Sequence, residues 1–285
     1  MLLVLGYLVV VGAVFGGYAL IGGSFGVLFQ PVELLMIGGA AVGTFLAANN
    51  GKTIRATFAE LKLLLRPSRL DRQLYMDLLA LLYELLAKAR KEGMMKLESE
   101  VDDPGSSEIF GRYPKIDSRL LEFICDYLRL IIMGNTEAFE IEALMDHELE
   151  TMRHEEEVPV QSLNKVSDAL PALGIVAAVM GVVHALASAD LPPAEMGALI
   201  GHAMVGTFLG VLLAYGFVAP LASIISHKAT EAMKTFECAK VILLASLNGY
   251  QPQIAVEFGR KVLYSSERPS FNELDTHVRE VKAAR

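Results

Sequence analysis

The chain has 285 residues, of which 53% are apolar, and its net charge at pH 7 is −8. This charge argues against nucleic acid as a partner, because binding a phosphate backbone requires a basic face. With only two cysteines, and six histidines that show no ligand spacing, the chain is not expected to hold a metal site.

Lysine and arginine are confined to two parts of the chain. All 25 of them lie in residues 51–167 or 226–285, and none lies in residues 1–50 or 168–225. A soluble domain spreads its basic residues along its whole surface, whereas a charged side chain near the bilayer centre costs roughly 2.5–3.5 kcal/mol. The distribution therefore indicates a membrane protein.

Four apolar stretches are candidates for membrane spans. They are Leu2–Ile21, roughly Phe29–Ala48, Ala169–Leu186 and Met196–Ile225. About 20 helical residues cross the ~30 Å hydrocarbon core, so each is long enough. The first has no basic segment before it and is interpreted as a retained helix, not a signal peptide. The fourth is overlong, and we expect its helix to continue through Ser226–Leu247.

The charges of the connections predict the orientation. The short connections Gly22–Leu28 and Ala187–Glu195 carry no basic residue, whereas the segment after the second span is rich in them. By the positive-inside rule, residues 51–167 and the C-terminal tail are cytoplasmic, and the short loops face outward. Both termini are then inside, because four spans return the chain to the side on which it began.

These boundaries predict an all-α polytopic membrane protein with four transmembrane helices and a helical cytoplasmic domain. Cys125 and Cys238 fall in cytoplasmic parts, so we expect reduced, structural thiols. The predicted domains are a first transmembrane hairpin (1–50), a cytoplasmic helical domain (51–167), a second transmembrane hairpin (168–225) and a cytoplasmic C-terminal tail (226–285).

The cytoplasmic region is predicted to be helical. Gln73–Lys91 and Asp117–Met133 are rich in apolar residues, with charges on one side, and Val101–Ser107 is expected to be a turn or loop. The run Glu137–Glu157 holds nine acidic residues and one basic residue. A solvated helix face is the simpler interpretation of this run, and a docking surface is the alternative.

The spans lack the group that a proton relay needs. No Asp, Glu, Lys or Arg lies at mid-membrane in any span, and intramembrane relays generally use ionisable side chains. If the protein moves ions, a partner chain must supply the acid. The chain is then one subunit of a transporter.

Small residues and prolines mark possible packing and hinge positions. Pairs such as Gly206 and Gly210 have the spacing that lets helices approach closely in lipid, most simply within one subunit. Gly12 with Gly16 and Gly39 with Gly43 repeat this spacing.

Two prolines bracket the last two spans. Pro171 is expected to open the third span, in the first turn of its helix, where proline is tolerated. Pro220 lies inside the fourth span, where it should kink the helix. The kink is either a hinge or a plain structural feature.

Several long runs resemble the MotA family of flagellar stator subunits. The runs Leu170–Asp190 and Gly197–Ala219 resemble the last two spans of that family. The opening MLLVLGYLVVVGAVFGGY, the internal YMDLLALLYELLAKARKEGM and the tail IAVEFGRKVLYSSERPSF are similar to it too. The resemblance covers nearly the whole chain in order, which makes it far more specific than a short motif.

The resemblance implies a motor function in the bacterial inner membrane. Members of the family form a five-membered ring around two copies of MotB, which carries the proton-accepting aspartate and binds peptidoglycan. Proton flow changes the conformation of the ring, whose cytoplasmic part pushes on the rotor protein FliG. Such a protein uses no cofactor beyond the coupling proton.

The resemblance also assigns roles to individual residues. Arg90, in KARKEG, and Glu98, in KLESE, match the charged pair that acts against the rotor; on their own they would be ordinary surface charges. Pro171 and Pro220 match two prolines of the coupling mechanism. Thr207 matches a hydroxyl that faces the ion path, although such a hydroxyl often bonds to its own helix.

Ala178 bears on the choice of ion. The sodium-driven branch of the family places a threonine at this position. Sodium needs several oxygen ligands, whereas a proton needs only an acceptor. With one oxygen fewer, the chain is predicted to use protons.

Three alternatives have different sequence requirements. The related energisers ExbB and TolQ also form proton-driven pentamers, but they have three spans. A passive membrane scaffold would explain the topology but not Pro171, Thr207 and Pro220 together. An enzyme is not expected, since neither a nucleophile–base arrangement nor a phosphate-binding glycine loop is visible.

Overall fold

The structure is a computed structural model that describes residues 2–64, 71–134, 137–187 and 192–283. All regular elements in these ranges are helical, which confirms the predicted all-α class. The α-helices are α1 (Leu2–Leu20), α2 (Phe25–Leu28), α3 (Pro31–Ala48), α4 (Gly51–Leu64), α5 (Arg72–Glu92), α6 (Glu98–Asp102), α7 (Glu108–Gly111), α8 (Ser118–Met133), α9 (Ala138–Ala187), α10 (Pro193–Val211), α11 (Ala219–Leu247), α12 (Pro252–Val262) and α13 (Phe271–Ala283).

The prediction of four membrane spans is confirmed. Four helical stretches are long and apolar enough to cross a bilayer: Leu2–Leu20, Phe25–Ala48, Ala138–Ala187 and Pro193–Leu247. No residue of α1 is buried, as expected for a helix whose surroundings are lipid. The first short connection contains α2, and residues 188–191 of the second, including Asp190, lie outside the described ranges.

The expectation that Pro171 opens its helix is wrong. Helix α9 runs without interruption for 50 residues, and Pro159 and Pro171 both lie inside it. The helix begins far upstream at Ala138, where Ile141, Met145 and Leu149 pack into a core, and it continues through the prolines. Inside a helix, Pro171 removes the N–H that would bond to the carbonyl four residues earlier.

Pro220 is accommodated by a change of helical register. The fourth span is helical from α10 to α11, but its middle, Leu212–Val218, is a π-helix. There the Ala219 N–H donates to the Ala214 carbonyl, five residues earlier. Such segments are rare and are frequent at functional sites. Pro220 lies two residues after the segment, so the kink predicted for this helix takes the form of a π-helical segment.

The chain forms two compact units, which are described separately. One comprises residues 1–66 and 155–227, and the other comprises residues 67–154 and 228–285. We call the first the membrane unit and the second, after the location predicted from the sequence, the cytoplasmic unit. Two of the boundaries between them fall inside α9 and α11.

The membrane unit is held together by close backbone approach. A Cβ atom on Gly174 would lie 2.7 Å from the Gly206 carbonyl oxygen, and one on Gly210 would lie 2.6 Å from the Leu170 carbonyl oxygen. Only glycine permits this contact between the third and fourth spans. The Gly206–Gly210 pair therefore packs within the subunit, as its spacing predicts.

The cytoplasmic unit has one large apolar core. Leu78, Leu82 and Leu85 of α5 are fully buried in it. The helix starts where the Asp71 carboxylate accepts a hydrogen bond of 2.8 Å from the Leu74 N–H, which caps it. The prediction of a loop over Val101–Ser107 is wrong at its first residues, because Val101 is buried in this core and belongs to α6, which ends at Asp102.

Candidate functional site

Arg90 and Glu98 lie on either side of a tight reversal of the chain. Arg90 is in the last turn of α5, and Gly93 then adopts a φ of 93°, which favours glycine. The following short helical turn buries Leu97 completely, and Glu98 begins α6. The reversal brings two charges of opposite sign into the same part of the cytoplasmic unit.

Both charges are available for an external partner. Arg90 and Glu98 are exposed, and neither forms a hydrogen bond or ion pair with another residue of the described ranges. A side chain already paired within its own subunit would have to give up that partner before meeting another. Arg90 and Glu98, the two charges that the resemblance assigns to the rotor contact, are therefore unbonded within the described residues and are held on a turn of fixed geometry.

A salt bridge beside these charges fixes α6 against α5. Lys88, one turn before the end of α5, pairs with Glu100, and the Ser107 hydroxyl donates to the same carboxylate. Partial burial alone would raise the pKa of Glu100, but the hydrogen bonds from Lys88 and Ser107 outweigh it and lower that pKa below its ordinary value. The carboxylate is therefore ionised and bound at neutral pH.

A second, more buried pair anchors the middle of α5. The Glu84 carboxylate accepts 2.7 Å from the Tyr113 hydroxyl and 2.8 Å from Arg112 Nη1. Burial first, and then the hydrogen bond to Glu84, raise the pKa of Tyr113 far above its ordinary value. Because both carboxylate oxygens are satisfied, this charge can remain inside the unit.

Ala178 and Thr207 lie at one level of the membrane unit. The Ala178 amide nitrogen would be 3.2 Å from a Cβ atom on Gly206, the residue before Thr207. Thr207 is half-buried, and its hydroxyl makes no hydrogen bond to any residue that the structure describes. The alternative in which this hydroxyl bonds to its own helix is therefore not what the structure shows.

The predicted residues fall into two groups. Pro171, Ala178, Thr207 and Pro220 belong to the third and fourth spans of the membrane unit, whereas the charged pair belongs to the cytoplasmic unit. Within the spans, Pro171 lies about two helical turns from Ala178, and Pro220 lies more than three turns from Thr207.

Three polar residues of the spans were not predicted to be functional. Glu33, at the start of α3, is 7% exposed, and its Oε2 has no hydrogen-bond partner among the described residues. It could have been noticed as an acid within an apolar run. Tyr7 and Ser167 bond to carbonyls 210 and 47 residues away, and no local pattern signals such contacts.

The cysteines and acidic residues form no metal site in the described ranges. No group of three or more His, Cys, Asp or Glu side chains is suitably placed there. Cys125 and Cys238 are free and buried in the core of the cytoplasmic unit. Burial raises the pKa of Cys125 to about 11 and that of Cys238 to about 12, so both are unreactive thiols at neutral pH.

The four apolar helices and the separate helical unit define an all-α, multi-pass membrane protein. Comparison with known proteins specifies the class. The family described as Motility protein A N-terminal matches residues 4–93, and the MotA/TolQ/ExbB proton channel family matches residues 115–238.

Relatives of high identity agree with these matches. Motility protein A of Salmonella typhimurium and that of Escherichia coli K12 are each 62% identical over 284 residues, which is 99% of this chain and 96% of theirs. The chemotaxis protein LafT of Vibrio parahaemolyticus is 34% identical over 97% of this chain and 98% of its own.

Two solved structures share the fold. The Campylobacter jejuni MotAB structure matches with a TM-score of 0.79 at 22% identity, over 94% of this chain and 98% of that one. The Bacillus subtilis MotAB stator complex matches with a TM-score of 0.76 at 24% identity, over 96% and 98%.

The chain belongs to the Motility protein A branch of the MotA/TolQ/ExbB proton channel family. It is a multi-pass inner-membrane protein and a stator subunit of the proton-driven flagellar motor. Proteins of this family are stator and proton-channel subunits.

Proposed function

We propose that five copies of this chain surround two copies of MotB and convert proton flow into torque on the rotor protein FliG. The observation that carries the proposal is the pair Arg90 and Glu98, exposed and unpaired among the described residues yet held on a braced turn. Charges of this kind steer a moving partner without locking it, because exposed pairs act over distance but bind weakly.

The membrane unit supports the same assignment. Since the spans carry no mid-membrane acid, the proton-accepting aspartate comes from MotB, and Thr207 presents its free hydroxyl to the ion path. Pro171 and Pro220 make the two adjacent helices able to change shape. A proton crossing 100 mV releases about 2.3 kcal/mol, enough to shift a two-state element about fiftyfold.

The orientation follows from charge. Both termini and residues 51–167 lie in the cytoplasm, and exposed apolar side chains such as Leu2, Leu5 and Phe29 face the lipid bilayer. In this orientation Arg90 and Glu98 are on the side of the rotor. The energiser alternative, in which another partner replaces MotB, is disfavoured by the fourth span and by the high identity to Motility protein A.

Charge reversal tests the rotor contact. Arg90→Glu should slow rotation severalfold, and an opposite change on FliG should restore it, because the contact depends on complementary sign. Lys91→Glu is the matched control, since Lys91 is an exposed cation on the same helix. If Arg90→Glu and Glu98→Lys together leave torque unchanged, these residues do not form the interface.

The coupling ion has a separate test. With Ala178 supplying no oxygen beside Thr207, torque should follow the proton gradient and ignore sodium. Speeds of tethered cells are measured at fixed pH over a range of external sodium. Torque that rises with sodium would contradict proton coupling while leaving the stator assignment intact.

A further inference from the structure

The π-helical segment Leu212–Val218 is bound by side chains of two other spans. The Ser167 hydroxyl, on the third span, donates to the Ala214 carbonyl at 3.1 Å. The Tyr7 hydroxyl, on the first span, donates to the Phe217 carbonyl at 2.7 Å. In lipid no water competes for these carbonyls, so a hydroxyl donor from a neighbouring span stabilises the backbone conformation in which the carbonyl is within its reach.

The two contacts are part of packed surroundings. Ser167 is 3% exposed, so its hydroxyl has no access to water. The Tyr7 and Phe217 rings are in contact, with 5.0 Å between centroids and 42° between their planes, and a Cβ atom on Gly216 would lie 3.3 Å from Val10. The first span thus packs along the π segment, and Tyr7 is held in place by this packing as well as by its hydrogen bond.

The backbone at this point can adopt two registers. In the π register the Ala219 N–H reaches the Ala214 carbonyl, which also accepts from Ser167. In the α register Ala214 would instead accept from the N–H four residues later. Pro220 has no N–H and cannot stabilise the regular ladder where the segment ends. The choice of register therefore depends on the side-chain donors.

We propose that Tyr7 and Ser167 are positioning residues that hold Leu212–Val218 in the π register, and that this segment is the two-state element of the fourth span. One residue corresponds to about 100° of helix rotation, so resolving the π segment would turn the first part of α11 by that amount. The proposal rests on the proposed function, in which the membrane unit must have two conformations for proton flow to bias.

Cysteine labelling reads the register directly. In the present register Ser223 and His227 of α11 are exposed, whereas Ala222 and Ile225 are buried. Cysteines placed singly at these four positions should react with a maleimide at 223 and 227 only. The native thiols do not interfere, because Cys125 and Cys238 are 1% and 0% exposed.

The experiment uses the full chain with MotB in native membranes, with Tyr7→Phe, Ser167→Ala and the double variant in each cysteine background. A hydrogen bond between spans is worth about threefold in an equilibrium, so the double variant should shift the register about tenfold. Labelling at 222 should rise by that factor, because in the α register residue 222 takes the exposed place that residue 223 holds in the π register. Labelling at 223 should fall. The change should be smaller in each single variant.

Two controls separate register from general damage. Tyr215→Phe removes a hydroxyl from the π segment itself, where the side chain is 61% exposed, and should leave the pattern unchanged. Ser167→Thr, which keeps a hydroxyl, should restore the pattern that Ser167→Ala disturbs. Tyr7→Phe keeps the ring that packs on Phe217, so it remains informative if Ser167→Ala fails to accumulate.

The possible outcomes are distinct. A pattern displaced by one residue supports the proposal. A double variant that labels as the parent does overturns it, as would equal labelling at all four positions, which indicates general loosening. Labelling does not depend on torque, so an unchanged pattern leaves the stator assignment standing. Failure of the stator assignment would appear as undiminished swimming without the protein.

Discussion

The two units of this chain are stable for different reasons. The cytoplasmic unit has one continuous core, rich in leucine, with a buried carboxylate that is fully hydrogen-bonded. The membrane unit has only small clusters of buried residues, and its large apolar side chains are mostly exposed. Burying leucine stabilises a protein in water but gains little in lipid, where close approach at glycine takes its place.

The largest effect is expected where backbones touch in the membrane unit. Gly210→Ala places a methyl group 2.6 Å from the Leu170 carbonyl oxygen and 2.9 Å from Gly174 Cα, neither of which can rotate away. The third and fourth spans must separate, so we expect loss of the assembled complex and of swimming. Blue-native electrophoresis of membranes measures this.

Gly197→Ala provides the control for that change. Gly197 lies on the same helix, and a Cβ atom there would meet nothing within 4 Å. It should accumulate and swim as the parent does. Normal assembly of Gly210→Ala would show that close approach at glycine does not hold the unit together.

The next largest effect concerns the core of the cytoplasmic unit. Leu78→Ala empties a fully buried site and should cost about 2–5 kcal/mol. Limited proteolysis of membranes should cut this unit sooner than in the parent. Leu144→Ala, at a site 49% exposed on α9, should change the cleavage rate little. Equal sensitivity of the two variants would mean that the core is not built as described.

A smaller effect is expected at the turn between the free charges. Gly93 has a φ of 93°, so Gly93→Ala should be strained by about 1 kcal/mol, although no atom lies within 4 Å of the added Cβ. The turn that orients Arg90 and Glu98 would be disturbed, and torque should fall while the amount of protein stays normal. Tethered-cell speed with an immunoblot measures both. Unchanged torque in Gly93→Ala would show that the geometry of this turn is not needed for force transmission.

The smallest effect is a pH dependence of the brace beside these charges. Because the pKa of Glu100 is lowered in the folded protein, its contribution to stability is present above the unfolded pKa, about 4.3, and is lost as the pH falls through the folded value. Acid should therefore increase proteolysis around α6 more in the parent than in Glu100→Gln, which lacks the charge already. If proteolysis increases equally with acid in the parent and in Glu100→Gln, the Lys88–Glu100 pair adds no stability.

Composition predicts much of the membrane unit, because lipid excludes charge from whole segments. The four spans follow from the distribution of lysine and arginine. The close helix contact at Gly206 and Gly210 follows from the spacing of these two glycines. The course of the chain through Pro171 does not follow from composition, because a helix that begins far upstream passes through a residue that locally indicates a helix start. The π register is set by donors on other spans and has no local signal.

In the cytoplasmic unit the helices are predictable, but the contacts between them are not. Gln73–Lys91 has a helical pattern that the structure extends by one residue at each end. The same pattern does not reveal that Glu84 is buried, since its partners Arg112 and Tyr113 come from a segment about 28 residues later. Arg90 and Glu98 are likewise ordinary charges until the resemblance assigns them a role.

The central claim is that this chain generates torque, and deleting its gene tests that claim most directly. Flagellar filaments are counted by microscopy, and swimming is scored in the same cells. We expect filaments of normal number on cells that do not swim, with swimming restored by the gene in trans. Undiminished swimming of the deletion strain, in a cell with no second stator set, would contradict the account.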